Sequence, residues 1–237
     1  MTELPPDIVD VWEAPHSGPD DDAERLFDLL SGFEQIRAKR FVDTRGYRQY
    51  VISRARMRQV LAHYTGVSAA EIHFTIVGDG KPALSDRRHD IFFNNTHSGE
   101  LGLIAVTRGR EVGIDMERFR DIERARRVSK RFFTAEEHAS LTALEGDEMV
   151  REFLSIWTRR EAGTKARGAS VWRGLGSWTG SRMARRPGVQ ADETTEFTTR
   201  MLDLGNDYVG AVVAAGTDWA VRMRGDVRSA GLDNAAK

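Results

Sequence analysis

Asp115 and Glu117 stand two residues apart in VGIDMER, just after an apolar run. Side chains on a strand alternate between faces, so these two carboxylates point the same way. Two like charges side by side repel, and the arrangement is costly unless something positive sits between them, either an exposed arginine or a metal ion. A third carboxylate, Glu161, follows in WTRREAGTK, with Lys165 four residues on. On a helix that spacing stacks Glu161 and Lys165 on one face, the pattern of a common surface pair worth only a few tenths of a kcal/mol. Trp157, one turn before Glu161, argues that this face is partly buried, where such a pair needs a further reason. If Glu161 faces the strand of Asp115 and Glu117, three oxygen-donor carboxylates converge with no soft ligand, a set that suits Mg2+ rather than zinc. Lys165 would then place a compact positive charge one turn away, where it offsets charge developing on a phosphate. That chemistry is phosphoryl-type transfer.

The elements that must position these residues are legible in outline. The chain has 237 residues, 40% hydrophobic and 30% charged, a globular composition long enough to bury a sizeable core. Its 35 basic and 36 acidic residues nearly cancel, which argues against a dedicated nucleic-acid binder. It has no cysteine, which removes thiolate metal sites and thiol nucleophiles and fits a cytoplasmic protein. No apolar run reaches the roughly 20 residues of a membrane span, and the acidic start does not resemble a signal peptide. IVDVW reads as a first strand, and helical spacing runs from Arg25 to Gly66, with Met57, Val60, Leu61 and Tyr64 on one face. IHFTIV reads as a strand and GDGKPALSD as a loop. IFFNNTHS and LGLIAVTRGREVGIDME follow, with a hairpin predicted across the Gly109 turn. Thr134 with Glu137 fits a capping box, and a helix is predicted through EMVREFLSIWTRREAGTKA. Residues 168–194 read as a loop, TEFTTRMLDL, YVGAVVAA and WAVRMR as strands, and 225–237 as a frayed tail.

VGIDMER followed by WTRREAGTK resembles the paired signature of the 4′-phosphopantetheinyl transferases, an apolar-Gly-apolar-Asp-x-Glu strand and a later Trp-Ser/Thr-x-Lys-Glu-x-x-x-Lys helix. GKPAL (80–84) is similar to that family's Gly-Lys-Pro loop, FNNTHS (93–98) to its Phe-Asn-x-Ser-His-Ser segment, and YVGAVVA (208–214) to its C-terminal strand. RFVDTRGYRQYVISR (40–54) resembles its Arg-rich helix. The length and Glu117 resemble the monomeric, surfactin-synthetase-activating type.

The resemblance implies an α+β (α/β two-layer) fold of two similar halves related by a pseudo-two-fold, with the active site in the cleft between them. The division expected is 1–110, 111–224 and a disordered tail 225–237. The implied reaction moves phosphopantetheine from coenzyme A to a serine of an apo acyl- or peptidyl-carrier protein, releasing adenosine 3′,5′-bisphosphate. A catalytically silent binder of coenzyme A or carrier protein is the alternative. By resemblance, Asp115, Glu117 and Glu161 would hold Mg2+, with Mn2+ as a substitute. Glu161 would also take the serine proton, and Lys165 would stabilise the departing bisphosphate. Arg48, Lys81, Thr96, His97 and Lys165 would contact coenzyme A, Arg45 or Arg54 being alternatives to Arg48. Glu137 matches a position proposed as a base, although its capping box accounts for it without chemistry. Residues 118–133 carry seven Arg or Lys against two acids, and read equally as a solvated helix face or as a docking face for an acidic carrier. Phe132 and Phe133 would close that face or belong to the core. Departures from the pattern are Arg160 for Lys, Gly163 inside the helix, and an altered loop after Lys165.

Overall fold

The computed structural model describes residues 3–16, 22–120, 125–168 and 196–232. The chain forms two units. The first takes the described residues up to 75, those of 83–110, and those from 218 onward. Its sheet has the order β4-β5-β1-β9, from β1 (Ile8–Glu13), β4 (Ile91–Ser98), β5 (Leu101–Arg108) and β9 (Ala220–Asp226). Helices α1 (Asp22–Phe27), α2 (Gly32–Ala38) and α3 (Thr44–Thr65) belong to the same unit. Asp43 caps the start of α3 by accepting from the Gly46 amide at 2.6 Å, and Gly66 ends it at φ 72°, a left-handed value that glycine reaches without strain. Met57, Val60, Leu61 and Tyr64 are all buried, as their spacing predicts, against Trp12, Phe93 and Ile104.

The second unit takes residues 76–82 and the described part of 111–217. Strands β6 (Val112–Arg118), β7 (Phe197–Leu202) and β8 (Tyr208–Ala215) form an antiparallel sheet in the order β6-β8-β7. Helix α6 (Gly146–Ala166) packs on it, with α4 (Ala125–Phe132) and α5 (Ala135–Thr142) alongside. The predicted capping box is present, since the Glu137 amide donates to Thr134 Oγ1 at 3.2 Å and Glu137 Oε2 accepts from the Thr134 amide at 2.9 Å. Gly113 brings β6 hard against α6, because a Cβ there would lie 2.1 Å from the Ala162 carbonyl oxygen and 2.3 Å from the Ala166 amide nitrogen.

The architecture is α+β, helices packed on antiparallel and mixed sheets. Three expectations are revised. The Gly109 turn makes no hairpin: β4 and β1 occupy both edges of β5, and β6 pairs with β8 instead. GKPAL is not all loop, for its last four residues form β3 (Lys81–Leu84), paired with β2 (Phe74–Val77). The C-terminal segment does not follow the expected division at 224, because β9 runs parallel to β1 and joins the first unit. Gly225 and Asp226 still pair with β1, and Val227 and Leu232 are buried in that core, so the tail predicted from 225 is in part a packed segment. Residues 169–194, within the predicted loop, lie outside the described residues. Among the described residues no helix is long and apolar enough to cross a membrane.

Candidate active site

The contact at Gly113 fixes which face of β6 looks at α6, and the two-residue period carries that face to Asp115 and Glu117. Glu161 and Lys165 project from the last two turns of α6. The spacing alone suggested that Lys165 would pair with Glu161. In the structure Lys165 Nζ donates to Asp115 Oδ1 at 2.7 Å and to the Ile114 carbonyl at 3.1 Å. Glu161 is only 4% exposed, so the surface-pair reading does not hold. Burial pushes its carboxyl up to about 7, the negative charge on Asp115 adds to the rise, Lys165 opposes it, and Glu117 adds a little more. Asp115, Glu117, Glu161 and Lys165 are therefore gathered in one place in the second unit. The three carboxylates do not, however, form a ready-made metal cluster, since no group of three His, Cys, Asp or Glu able to hold an ion occurs among the described residues.

Two further expected residues of this unit are engaged in structure. Glu137 completes its capping box and also accepts from the Arg160 guanidinium. Burial alone would raise the Glu137 carboxyl, but the Arg160 hydrogen bond and the Thr134 amide outweigh it and hold the carboxyl below the usual range. A carboxylate so satisfied is a poor proton acceptor, which favours the structural reading of Glu137. Arg160 also donates to the Phe132 carbonyl at 3.0 Å and lies 5.3 Å from the Phe133 ring centroid. Its planar fork thus links α6 to the junction of α4 and α5, a task a lysine at this position would do less completely.

Lys81 is braced rather than presented. Its ammonium donates to Glu111 Oε2 at 2.7 Å, the Val112 carbonyl at 2.9 Å and the Ala166 carbonyl at 3.3 Å, which uses all three donors. Burial lowers its pKa, opposed by Glu111. It joins the start of β6 to the end of α6, one residue beyond Lys165. Sequence reasoning missed Glu111, whose only signal was an acid placed just before the strand. Lys81→Met should cost about 1–3 kcal/mol in denaturant unfolding, because two carbonyls lose a buried charged donor. Glu111→Gln should cost less, since Glu111 is 41% exposed and can turn to water. Equal stability of Lys81→Met and the native chain would refute the brace.

The remaining expected residues lie in the first unit, on β4 and α3. Thr96 is buried on β4 and His97, next to it, is exposed. The His97 ring meets the His16 ring at 5.1 Å in an edge-to-face arrangement. His16, which carried no sequence signal, is buried, shares a hydrogen bond with the Gly99 carbonyl, and has its pKa lowered by burial, by His97 and by Arg45. Among the candidate arginines, Arg45 is the one whose charge acts on His16, while Arg48 is half-buried on the second turn of α3 and Arg54 lies over the Tyr50 ring.

The basic segment 118–133 is described only outside 121–124. Phe133 stacks on Phe153 at 5.3 Å and, partly buried, packs against the core of this unit. The altered loop after Lys165 lies outside the described residues beyond Gly168.

A family profile described as 4′-phosphopantetheinyl transferase superfamily matches residues 111–213, and one described as 4′-phosphopantetheinyl transferase, N-terminal, matches residues 17–108. The chain is 32% identical over 217 residues to 4′-phosphopantetheinyl transferase HetI of Nostoc sp. (strain PCC 7120), covering 90% of each chain. It is 26% identical over 148 residues to 4′-phosphopantetheinyl transferase Sfp of Bacillus subtilis (strain 168), covering 62% of this chain and 64% of that one. It is 37% identical over 93 residues to 4′-phosphopantetheinyl transferase AcpT of Escherichia coli (strain K12), 39% and 47% of the two chains. The carboxylate strand, the glutamate–lysine helix and a relative matched over nine-tenths of both chains place the protein in the 4′-phosphopantetheinyl transferase superfamily.

Proposed function

We propose that the chain, acting as a cytoplasmic monomer, transfers the 4′-phosphopantetheine of coenzyme A to a serine hydroxyl of an apo acyl- or peptidyl-carrier protein. The observation that carries this reading is the buried Glu161, raised to about 7 beside the Asp115–Lys165 pair. A carboxyl titrating near neutral pH is suited to accept a proton. The serine oxygen attacks the β-phosphorus of the coenzyme's pyrophosphate, its proton passes to Glu161, and the phosphorus–oxygen bond to adenosine 3′,5′-bisphosphate breaks. Lys165 stabilises the charge gained by that leaving phosphate.

Asp115, Glu117 and Glu161 supply only oxygen donors, the set a hard Mg2+ ion prefers, and the repulsion from Asp115 and Glu117 that adds to burial in raising Glu161 is what a divalent cation would relieve. These three residues would hold the ion, which when bound neutralises and polarises the pyrophosphate. On the coenzyme side, His97, Thr96 and Arg48, joined by Arg45, are the groups offered to the nucleotide phosphates. Lys81 reaches a phosphate only by giving up one of its three bonds.

Incubation with an apo carrier domain, coenzyme A and Mg2+ should add one phosphopantetheine to the intact mass of the domain, and EDTA should stop it. Asp115→Asn should lower the rate at least ~10²-fold, since both a cation ligand and the partner of Lys165 are lost. A fully active Asp115→Asn variant would overturn the metal assignment. No mass gain with either carrier type, while coenzyme A still binds, would favour the silent binder.

A further inference from the structure

Seven large apolar side chains are exposed among the described residues, and four of them fall between positions 33 and 42. Phe33 is 77% exposed, Ile36 57%, Phe41 39% and Val42 103%. Three of these, with Arg37 and Arg40, line a groove of about 410 Å3. The helix that carries it is inverted relative to an ordinary amphipathic helix. Its glutamate turns inward: Glu34 is buried, accepts from the Ser31 amide and hydroxyl at 3.0 Å, and is held by buried Arg58 at 2.7 and 2.9 Å. Its phenylalanine and isoleucine turn outward. Gln35 Nε2 ties the helix to the Leu30 carbonyl at 3.2 Å and the Phe27 carbonyl at 3.3 Å, so the outward face is rigidly presented. A contiguous exposed apolar patch rimmed by polar groups marks an interaction site, and here folding alone would favour the opposite arrangement.

The rim specifies the partner's chemistry. Both acids of the segment are spent internally, Glu34 on Arg58 and Asp43 on the Gly46 amide. Arg37, Lys39 and Arg40 are left around the apolar patch as cations, Arg37 and Lys39 also lying over the Tyr50 and Phe27 rings. A small ligand would be enclosed by its apolar walls, whereas Phe33 and Val42 stand proud of the surface. By contrast, the phenylalanine closing the other basic segment, Phe133, is partly buried and packs against the core of its own unit.

We infer that the α2 face, from Phe33 to Val42, is the docking surface for the protein substrate, which presents an apolar helix face bordered by carboxylates. The inference rests on the transfer reading for its choice of partner. The test separates the two by measuring binding apart from turnover. An apo carrier domain whose acceptor serine is changed to alanine is titrated, without coenzyme A, into the native chain and into a Phe33→Ser, Ile36→Ser variant. Both substituted residues are exposed, so an unchanged melting temperature is expected. Affinity should fall ~30-fold or more in the variant, as for anchor residues at an interface centre. Arg37→Glu with Arg40→Glu should weaken binding ~10-fold and flatten its dependence on salt. A native chain that binds the domain but does not modify an unaltered one would overturn the transfer reading and leave the docking surface standing. Equal affinity of native and variant chains, or no binding by the native chain, would overturn the inference. So would a rise in KM for coenzyme A with acceptor affinity unchanged, which would make the groove a nucleotide site. Loss of self-association in the variant with acceptor affinity unchanged would assign the patch to a second copy of this chain and overturn it as well.

Discussion

Glutamine in place of Glu161 is expected to slow transfer at least ~10³-fold and, in metal-free buffer, to raise the melting temperature above neutral pH. On the proposed mechanism the substitution removes the proton acceptor and a cation ligand together, and the rate loss follows from that. The stability gain follows from the sign of the shift. The carboxyl's folded value of about 7 lies above its usual 4.5, so its contribution to stability is complete below 4.5 and is lost as the pH rises through about 7. Above that point the native chain must hold a buried anion beside Asp115, and the neutral amide removes that cost. The two melting curves should therefore coincide in acid and separate between pH 4.5 and about 7. Native and variant proteins with parallel pH profiles would remove Glu161 from the position of a strained, functionally retained carboxylate. Added Mg2+ should narrow the gap at alkaline pH, because it relieves the same repulsion.

Gly113→Ala is expected to destabilise the second unit by about 3 kcal/mol or more and to abolish transfer with it. The new methyl would meet the Ala162 carbonyl oxygen at 2.1 Å and the Ala166 amide nitrogen at 2.3 Å, both backbone atoms that cannot rotate away. Either the helix lifts from the sheet or the strand slides, and both movements part Lys165 from Asp115. Gly210→Ala provides the control. Its methyl would meet the Leu204 Cδ1 atom at 2.7 Å, the end of a flexible side chain that can move, and the Asp115 carbonyl oxygen at 3.3 Å, a few tenths of an ångström tighter than ordinary contact, so the cost should be nearer ~1 kcal/mol. Chemical denaturation of the two variants decides it, and a Gly113→Ala protein as stable as the Gly210→Ala one would mean that the close approach is not required.

The sequence spoke clearly where a local rule decides the outcome. The capping box at Thr134 and Glu137, the left-handed stop at Gly66 and the helical face through Met57 and Leu61 are all present. The same-face placement of Asp115 and Glu117 needed only the period of a strand. What stayed hidden depends on partners distant in the chain. The spacing of Glu161 and Lys165 suggests a local pair, but Lys165 finds Asp115, fifty residues away, because β6 packs hard against α6 at Gly113. Lys81 looks like a solvated loop charge until Glu111, Val112 and Ala166 surround it. His16 has no pattern around it, and only the antiparallel sheet brings it to His97. The hairpin predicted at Gly109 failed for a similar reason: turn chemistry says where a chain can reverse, not whether the neighbouring strand edge is already taken.

The parallel pairing of β9 with β1 has a consequence for the order in which the protein is made. The first unit cannot close its sheet until β9 leaves the ribosome, more than 200 residues after β1, so its native contacts are among the most widely separated in the chain. Most of the second unit, 111–217, emerges before that strand and has its helix and sheet within one uninterrupted stretch. During synthesis the glutamate–lysine helix can therefore settle on its sheet while β1 still waits for its last neighbour, leaving one strand edge open to chaperones in the interval.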